Sequence, residues 1–472
     1  MKRLYKNTVW IGAIAMLLLV SGCKKFLNIP LPVNQIAGAD AYSTDETTSG
    51  VLDGIYTGLQ GYLSGSNGVG YNAGLYTDEL QNISASNTGT KIWYSNTITG
   101  TYGGIWWSDF YSELGIANTT IAAMQSSSLP NKNQWLGEAL FVRALLYYYL
   151  VNSYGDVALA LTNDVSTNNS LSRIAPASVY PQIVADLKQA QGLLVNNYYD
   201  FNGNVTTDRA RPNLAAATAL LARVYLYLGD WVDAEAQATT VLNNSSYKLE
   251  TLQKTFLVGS QENIWGLEPA AGNNFVVGDP LNYIFQPGAN IAVSSNVAVS
   301  LSPSLISTFD SGDLRLANWV DTITSGTPAT TYYFAYKYKV IGSAASATET
   351  LSILRLAEQY LIRAEARAEQ GNPGGAASDL NSVRSRAGLA GTTATTQAGL
   401  LAAIAKERRV ELFTEQGHRF FDLKRTGAID PVMAIVSPQK GSNWSSFMQY
   451  WPIPTTETLS NPNLTQTPGY QQ

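Results

Sequence analysis

Two pairs of carboxylates stand close enough along the chain to be weighed as a catalytic couple, Asp78 with Glu79 and Asp109 with Glu113. Cutting a glycosidic bond takes two carboxyl groups roughly 5–10 Å apart across a bound sugar. Chain neighbours such as Asp78 and Glu79 seldom face one cleft. Asp109 and Glu113, four apart on a helix, read as a solvated face. His418 is the only histidine, which excludes a multi-histidine metal site and makes any Ser/His/Asp scheme depend on that one ring. The run Glu407, Arg408, Arg409, Glu411, with Arg419 and Asp422, reads as an ion-pair network that pins the last helix to the core, and His418 shares that role. Such pairs specify geometry more than they add stability. The stretch "GSNGVGYNAG", Gly65 to Gly74, lacks the Gly-Lys-Ser/Thr ending of a phosphate loop and reads as a flexible loop. The expectation is a protein that binds without catalysing, with no catalytic residue, metal or cofactor assigned.

The aromatics point to a different chemistry. Sugar rings present flat C–H faces and edges of hydroxyls. Indole and phenol rings stack on the faces, while amides, carboxylates and guanidinium groups bond the edges. A stacked aromatic is rigid and loses little entropy on binding. Trp93, Tyr94, Trp106 and Trp107 crowd an early irregular region, and Trp265, Tyr283 and Trp319 lie in a later one. These are the candidate ligand-binding residues, with Asp78 as a polar edge contact. At least two of the rings are expected to line a ligand surface.

Cys23 is the only cysteine. Lys2, Arg3 and Lys6 precede an apolar run, Val9 to Val20, broken only by Gly12. This is signal-peptide length, short of the roughly 20 apolar residues that span a bilayer. Val20-Ser21-Gly22-Cys23 resembles a bacterial lipobox, in which diacylglycerol alkylates the thiol and cleavage makes Cys23 the new N-terminus. Each buried CH₂ contributes about 0.8 kcal/mol, so two or more acyl chains such as palmitate anchor stably. Cys23 is then unavailable for a disulfide or a metal. The net charge of −5 becomes more negative once Lys2, Arg3 and Lys6 are removed, which argues against nucleic acid. Only 14% of residues are charged, so the surface is rich in neutral hydrogen-bonding groups.

The elements that must position these residues are mostly helical. Residues 1–22 form the signal peptide and 23–472 a single body, with a loop-rich insert at about 245–352. "PLPVN", Pro30 to Asn34, reads as an extended tether. Helices are expected at about Ser43–Tyr62, Trp106–Met124, Asn133–Asp156 (stopped at Gly155) and Ala177–Val195, the third buried on every face. Two helix pairs follow with matching punctuation. Gly229 and Gly371 end a helix, Asp230 and Asn372 cap the next, and small residues Ala222, Ala364, Ala234 and Ala376 sit where antiparallel helices meet. This is a degraded tetratricopeptide (TPR) pattern, and two copies need other partners in the chain to pack against. The insert, with "NIWGLEP", "NYIFQPG" and "TYYFAYKYKV", reads as long loops with a few short strands or hairpins, the kind of segment where binding sits. The Pro-rich tail from Met448 should lie extended on the body.

Five segments in order carry a family resemblance: "RALLYYYLVNSYGDV" (Arg143–Val157), "LRLAEQYLIRAEARAEQG" (Leu354–Gly371), "LNSVRSRAGL" (Leu380–Leu389), "ERRVELFTEQGHRFFDLKRTG" (Glu407–Gly427) and "WPIPTTETLSNPNLTQTPGY" (Trp451–Tyr470). With the lipobox, they make the chain resemble the SusD/RagB family, the surface nutrient-binding lipoproteins of Bacteroidota. The resemblance implies a mostly α-helical body with TPR-like pairs on one side and loops presenting a ligand site. It implies a TonB-dependent outer-membrane transporter of SusC type as partner, with the lipoprotein as a hinged lid. The ligand would be an oligosaccharide, or a peptide as in some relatives; family members bind and do not cleave. A TPR-type scaffold without a small ligand is the remaining alternative. Outer-membrane, outward-facing attachment follows from the family. Lys24 and Lys25 stand where some surface-exported lipoproteins carry acidic residues.

Overall fold

A computed structural model of the chain describes residues 38 and 40–471, apart from 85, 103–105, 270–273, 280–282, 284–297 and 326–327. The expected signal peptide (residues 1–22), Cys23 and the expected tether at Pro30–Asn34 lie outside the described residues.

The first half holds α1 (Asp45–Leu63), α2 (Val69–Tyr76), β1 (Leu80–Asn82), α3 (Thr88–Tyr94), α4 (Trp107–Gln125) and α5 (Lys132–Tyr154). Then come β2 (Val157–Ala158), α6 (Val165–Asn168), β3 (Arg173–Ile174), α7 (Pro176–Leu193), β4 (Tyr198–Tyr199), β5 (Val205–Thr206), α8 (Leu214–Leu228) and α9 (Trp231–Leu242). The insert contributes β6 (Asn263–Leu267), β7 (Val299–Leu301), α10 (Pro303–Ile306), α11 (Leu314–Trp319), β8 (Val320–Ser325) and β9 (Thr330–Ala335). The chain closes with β10 (Leu351–Arg355), α12 (Leu356–Glu369), α13 (Pro373–Arg386), α14 (Gln397–Glu411), α15 (His418–Arg425), α16 (Ile429–Gln439) and α17 (Thr455–Ser460).

The helices pack in a continuous series: α4 on α5, α5 on α7, α7 on α8, α8 on α9, α9 on α12, and α12 on α13 and α14. α5 lies inside this series. Its apolar residues surround the helix, and Trp135, Phe141, Leu145, Tyr147 and Tyr149 are all fully buried. The two TPR-like pairs follow their punctuation. Gly229 takes φ +69°, a left-handed conformation that suits a residue without Cβ, and Asp230 then accepts a hydrogen bond from Asp233 N to start α9. Asn372 does the same through Gly375 N. Ala222, Ala234, Ala364 and Ala376 are wholly buried, so the pairs close on small side chains. The partner that two pairs require is the rest of this stack.

Among the described residues the strands pair in two-stranded antiparallel ladders, with one further isolated bridge between Leu257 and Glu349. One of them matters most here. β1 pairs with β7, Gln81 opposite Ser300, and ties the early loop region to the insert.

"GSNGVGYNAG" differs from expectation. Gly65–Asn67 is a single 3₁₀ turn, and Val69 onward is the buried helix α2. Its glycines serve close packing. A Cβ on Gly70 would stand 2.3 Å from the Thr414 carbonyl oxygen, so glycine alone admits this approach to the chain before α15. The tail is extended as expected over Trp451–Pro454, where Trp451 and Ile453 are fully buried, and adds the short α17.

Candidate functional site

The structure turns most of the expected ligand aromatics inward. Trp93, Trp106, Trp107, Trp265, Tyr283 and Trp319 each expose 5% or less of their surface. The reason is mutual packing. Trp93, Trp106 and Trp451 form a triangle with ring centroids 5.6, 5.1 and 4.8 Å apart, and Phe420 stacks on Trp451 at 5.3 Å and 2°. Rings of this size contribute most when buried against one another. Trp265 lies on β6 between Tyr56 and Phe141 and donates Nε1–H to the Ala210 carbonyl at 2.9 Å. Trp319 donates to the Leu252 carbonyl and has Lys337, Arg355 and Arg386 against its ring. Tyr94 is half-buried beneath the Lys440 ammonium, 4.9 Å from its ring centre. Hence Trp93, Trp106, Trp265, Tyr283 and Trp319 are core residues; Trp107 is buried too, but lines the floor of a small cleft.

Asp78 is likewise an internal clamp. Its carboxylate accepts two hydrogen bonds from Arg419 at 2.8 Å and pairs with Arg409 at 2.8 Å. Burial pushes its pKa up, but the two guanidinium groups outweigh burial and hold it below the usual carboxylate range. Glu79, fully buried beside it, is driven up to about 8 by burial and then by the Asp78 charge. Asp109 and Glu113 do not share a solvated face: Asp109 is half-buried and Glu113 is buried. α4 packs on α1 as well as α5, and Glu113 is turned inward where Gly58 leaves space for it. Burial and then Asp109 lift Glu113 to about 7.

The charged run before and within α15 forms the network its spacing suggested. Asp422 joins Arg408 at 2.7 Å and Arg425 at 2.8 Å, and Arg425 reaches Glu365 on α12 at 2.5 Å. Glu411 gathers Arg315 at 2.9 Å, Arg355 at 2.5 Å and Arg386. A 560 Å³ cavity runs through this network, and Arg408, Arg409, Arg419 and Arg425 on its walls are all held by carboxylates. His418 is buried nearby, and burial lowers its pKa to about 4, so it is neutral at pH 7.

A second cavity has the opposite character. It measures 430 Å³ and lies where the 3₁₀ turn between α1 and α2 meets the insert. Gln60, Ser64, Ser66 and Asn67 supply one wall, Asn274, Val276, Gly278 and Gly342 the other. Among the described residues, no charged side chain lines it. The walls are fastened to each other and to the aromatic core. Gly65 N donates to Asp279 Oδ1 at 2.9 Å, Tyr71 and Tyr283 pack at 5.7 Å, and Trp106 Nε1 donates to the Asn67 carbonyl at 2.7 Å. Asn274 and Phe275 both hold positive φ, 54° and 58°, and the Asn274 carbonyl accepts from Ala344 N at 3.0 Å. Two successive non-glycine residues in the left-handed region cost of order 1–3 kcal/mol each, and such strain gathers at ligand clamps. Thus Tyr283 and Trp106 support the pocket from behind. Gln60, Ser66, Asn67 and Asn274 were missed as candidates. Ser66 and Asn67 lie in the Ser/Asn-rich segment read only as flexible, Gln60 lies near the end of the expected helix before it, and Asn274 lies in the insert expected to carry binding.

Comparison with known proteins agrees with this architecture. Residues 282–470 match the model of the SusD family, and residues 41–226 match a model described as starch-binding associating with outer membrane. SusD-like protein P2 of Formosa agariphila is 27% identical over 420 residues, 77% of this chain and 80% of the relative. The starch-binding protein SusD of Bacteroides thetaiotaomicron is 32% identical over 126 residues, 26% of this chain and 22% of that one. Among solved structures, a laminarin-binding SusD-like protein superposes with a TM-score of 0.76 at 24% identity, covering 90% of this chain and 100% of the other. No described helix is long and apolar enough to cross a membrane. With both family models matched in order and the helical stack shared, the chain belongs to the SusD/RagB family.

Proposed function

We propose that this protein captures a neutral oligosaccharide in the pocket between the Gly65–Asn67 turn and the insert, and hands it to a TonB-dependent transporter of SusC type in the outer membrane, to which lipid on Cys23 tethers it. The observation that carries the reading is the 430 Å³ pocket lined by amides, hydroxyls, backbone and Val276, without a charged group among the described residues. A neutral polyol satisfies such a lining through its hydroxyl edges, whereas an ionic ligand would be desolvated there without a partner. The family supports the carbohydrate class, since one relative is named for starch and one structural neighbour for laminarin. Handing over cargo requires release, so the affinity is micromolar or weaker, about −8 kcal/mol or smaller in magnitude.

The test uses the lipid-free chain, residues 23–472 with Cys23→Ser, in affinity electrophoresis against laminarin, soluble starch, xylan and mannan, with a peptide panel in parallel. At least one polymer retards the protein. Asn67→Ala with Asn274→Ala weakens that binding at least fivefold, as expected from the loss of hydrogen bonds worth about 0.5–1.5 kcal/mol each. Binding of peptides alone, or a double variant that binds as tightly as the parent, refutes the proposal.

A further inference from the structure

A third cavity lies away from the pocket just described and shares no lining residue with it. It is a cleft of 290 Å³ between α4, the segment around α6 and the C-terminal α17. The geometry points to a second, independent site for a single neutral sugar ring in this cleft; the inference rests on the carbohydrate reading above.

The floor is aromatic. Trp107 and Tyr111, one turn apart on α4, pack with ring centroids 4.8 Å apart and both line the cleft beside Leu114. Tyr111 is fixed by its hydroxyl, which donates to the Ala158 carbonyl at 2.6 Å. The rim is polar and comes from other parts of the chain: Asn168, which ends α6, Asn169 after it, and Glu457 and Asn461 on and after α17. The Asn168 and Asn461 amides are held in place by Thr162 and by Leu171 and Asn463. Glu457 Oε1 accepts from Ser108 Oγ at 2.6 Å, and Oε2 has no partner among the described residues. The Asn169 amide is exposed and equally unengaged among them. An apolar floor with a rim of amides and one carboxylate is what a ring with one C–H face and a hydroxyl edge requires. Among the described residues the cleft contains no lysine or arginine, so an anionic ligand finds no counter-charge. Its volume is below the roughly 300–1,000 Å³ of sites that enclose a drug-sized molecule, so it suits one ring of a longer chain.

Two sites on one rigid body have a consequence for polymers. The second contact becomes intramolecular, and overall avidity can exceed either affinity by about 10²–10⁴. The cleft then holds the polymer while the larger pocket takes the segment to be delivered.

Gly115 provides the test. It lines the cleft on α4, and a Cβ there meets nothing within 4 Å. Gly115→Leu therefore fills the cleft without disturbing the helix, and Gly115→Ala serves as folding control. Calorimetry with the lipid-free chain uses laminarin, soluble starch, xylan and mannan, each as polymer and as trisaccharide. For the polymer that binds, the parent takes up two trisaccharides and Gly115→Leu one, and Gly115→Leu weakens polymer binding at least tenfold while Gly115→Ala does not. Asn67→Ala with Asn274→Ala removes the other trisaccharide and leaves the cleft occupied. A parent stoichiometry of one, or Gly115→Leu indistinguishable from parent, overturns the second site and leaves the first standing. No heat with any polymer overturns both.

Discussion

Asp78 separates a structural role from a ligand role more sharply than any other residue. It was expected at the edge of a sugar site, and the structure makes it the shared acceptor of Arg409 and Arg419, with its side chain 5% exposed. Asp78→Asn keeps the shape and removes the charge. Both guanidinium groups remain buried, now close to one another and to an amide that offers one acceptor in place of two. Breaking a buried pair by removing one partner costs about 3–5 kcal/mol. The pH dependence follows from the depressed pKa. A carboxylate held below its unfolded value of about 3.9 contributes stability that is complete above that pH and lost as pH falls through the folded value. The gap between parent and variant in equilibrium urea unfolding is thus full at pH 7 and narrows below about pH 4. Glycan affinity of the folded variant, measured by affinity electrophoresis at low temperature, stays within twofold of the parent. A variant within 1 kcal/mol of parent at pH 7 that nevertheless loses glycan binding refutes the argument and restores Asp78 to the ligand site.

Two further outcomes are expected. Glu79 is protonated in the folded state up to about pH 8, so the stability tied to it is present below its unfolded pKa of about 4.3 and is lost as pH rises through about 8; Glu79→Gln is therefore close to parent at pH 5 and more stable than parent at pH 9 by chemical denaturation, and equal stability at pH 9 contradicts the assignment. Cys23→Ser, expressed with its own leader, moves the protein from the membrane fraction to the soluble fraction, and unchanged membrane retention contradicts lipid anchoring through that thiol.

Much of the helical frame was legible because its signals are local. Glycine followed by Asp230 or Asn372 states where one helix stops and the next starts, and backbone geometry enforces it whatever the surroundings. The all-round apolar character of α5 states that it is interior. Local signals failed where one residue type serves two purposes. "GSNGVGYNAG" carries glycines that permit close packing as readily as they permit mobility, and only the position of the Thr414 carbonyl shows which applies. Glu113 has the spacing of a surface carboxylate, and it is buried because α4 is covered on that side by α1.

The sequence by itself determined the family, the helical class and the ion-pair role of the segment ending in α15, since these rest on order, period and charge along one chain. The tertiary structure alone decided which rings are core. A tryptophan has the same face for a sugar as for another tryptophan, and Trp451, far off in sequence, arrives to cover Trp93 and Trp106. It likewise decided where neutral polar groups converge. Gln60, Asn67 and Asn274 become one lining only because β1 pairs with β7 and Asp279 accepts from Gly65, contacts with no periodicity to betray them.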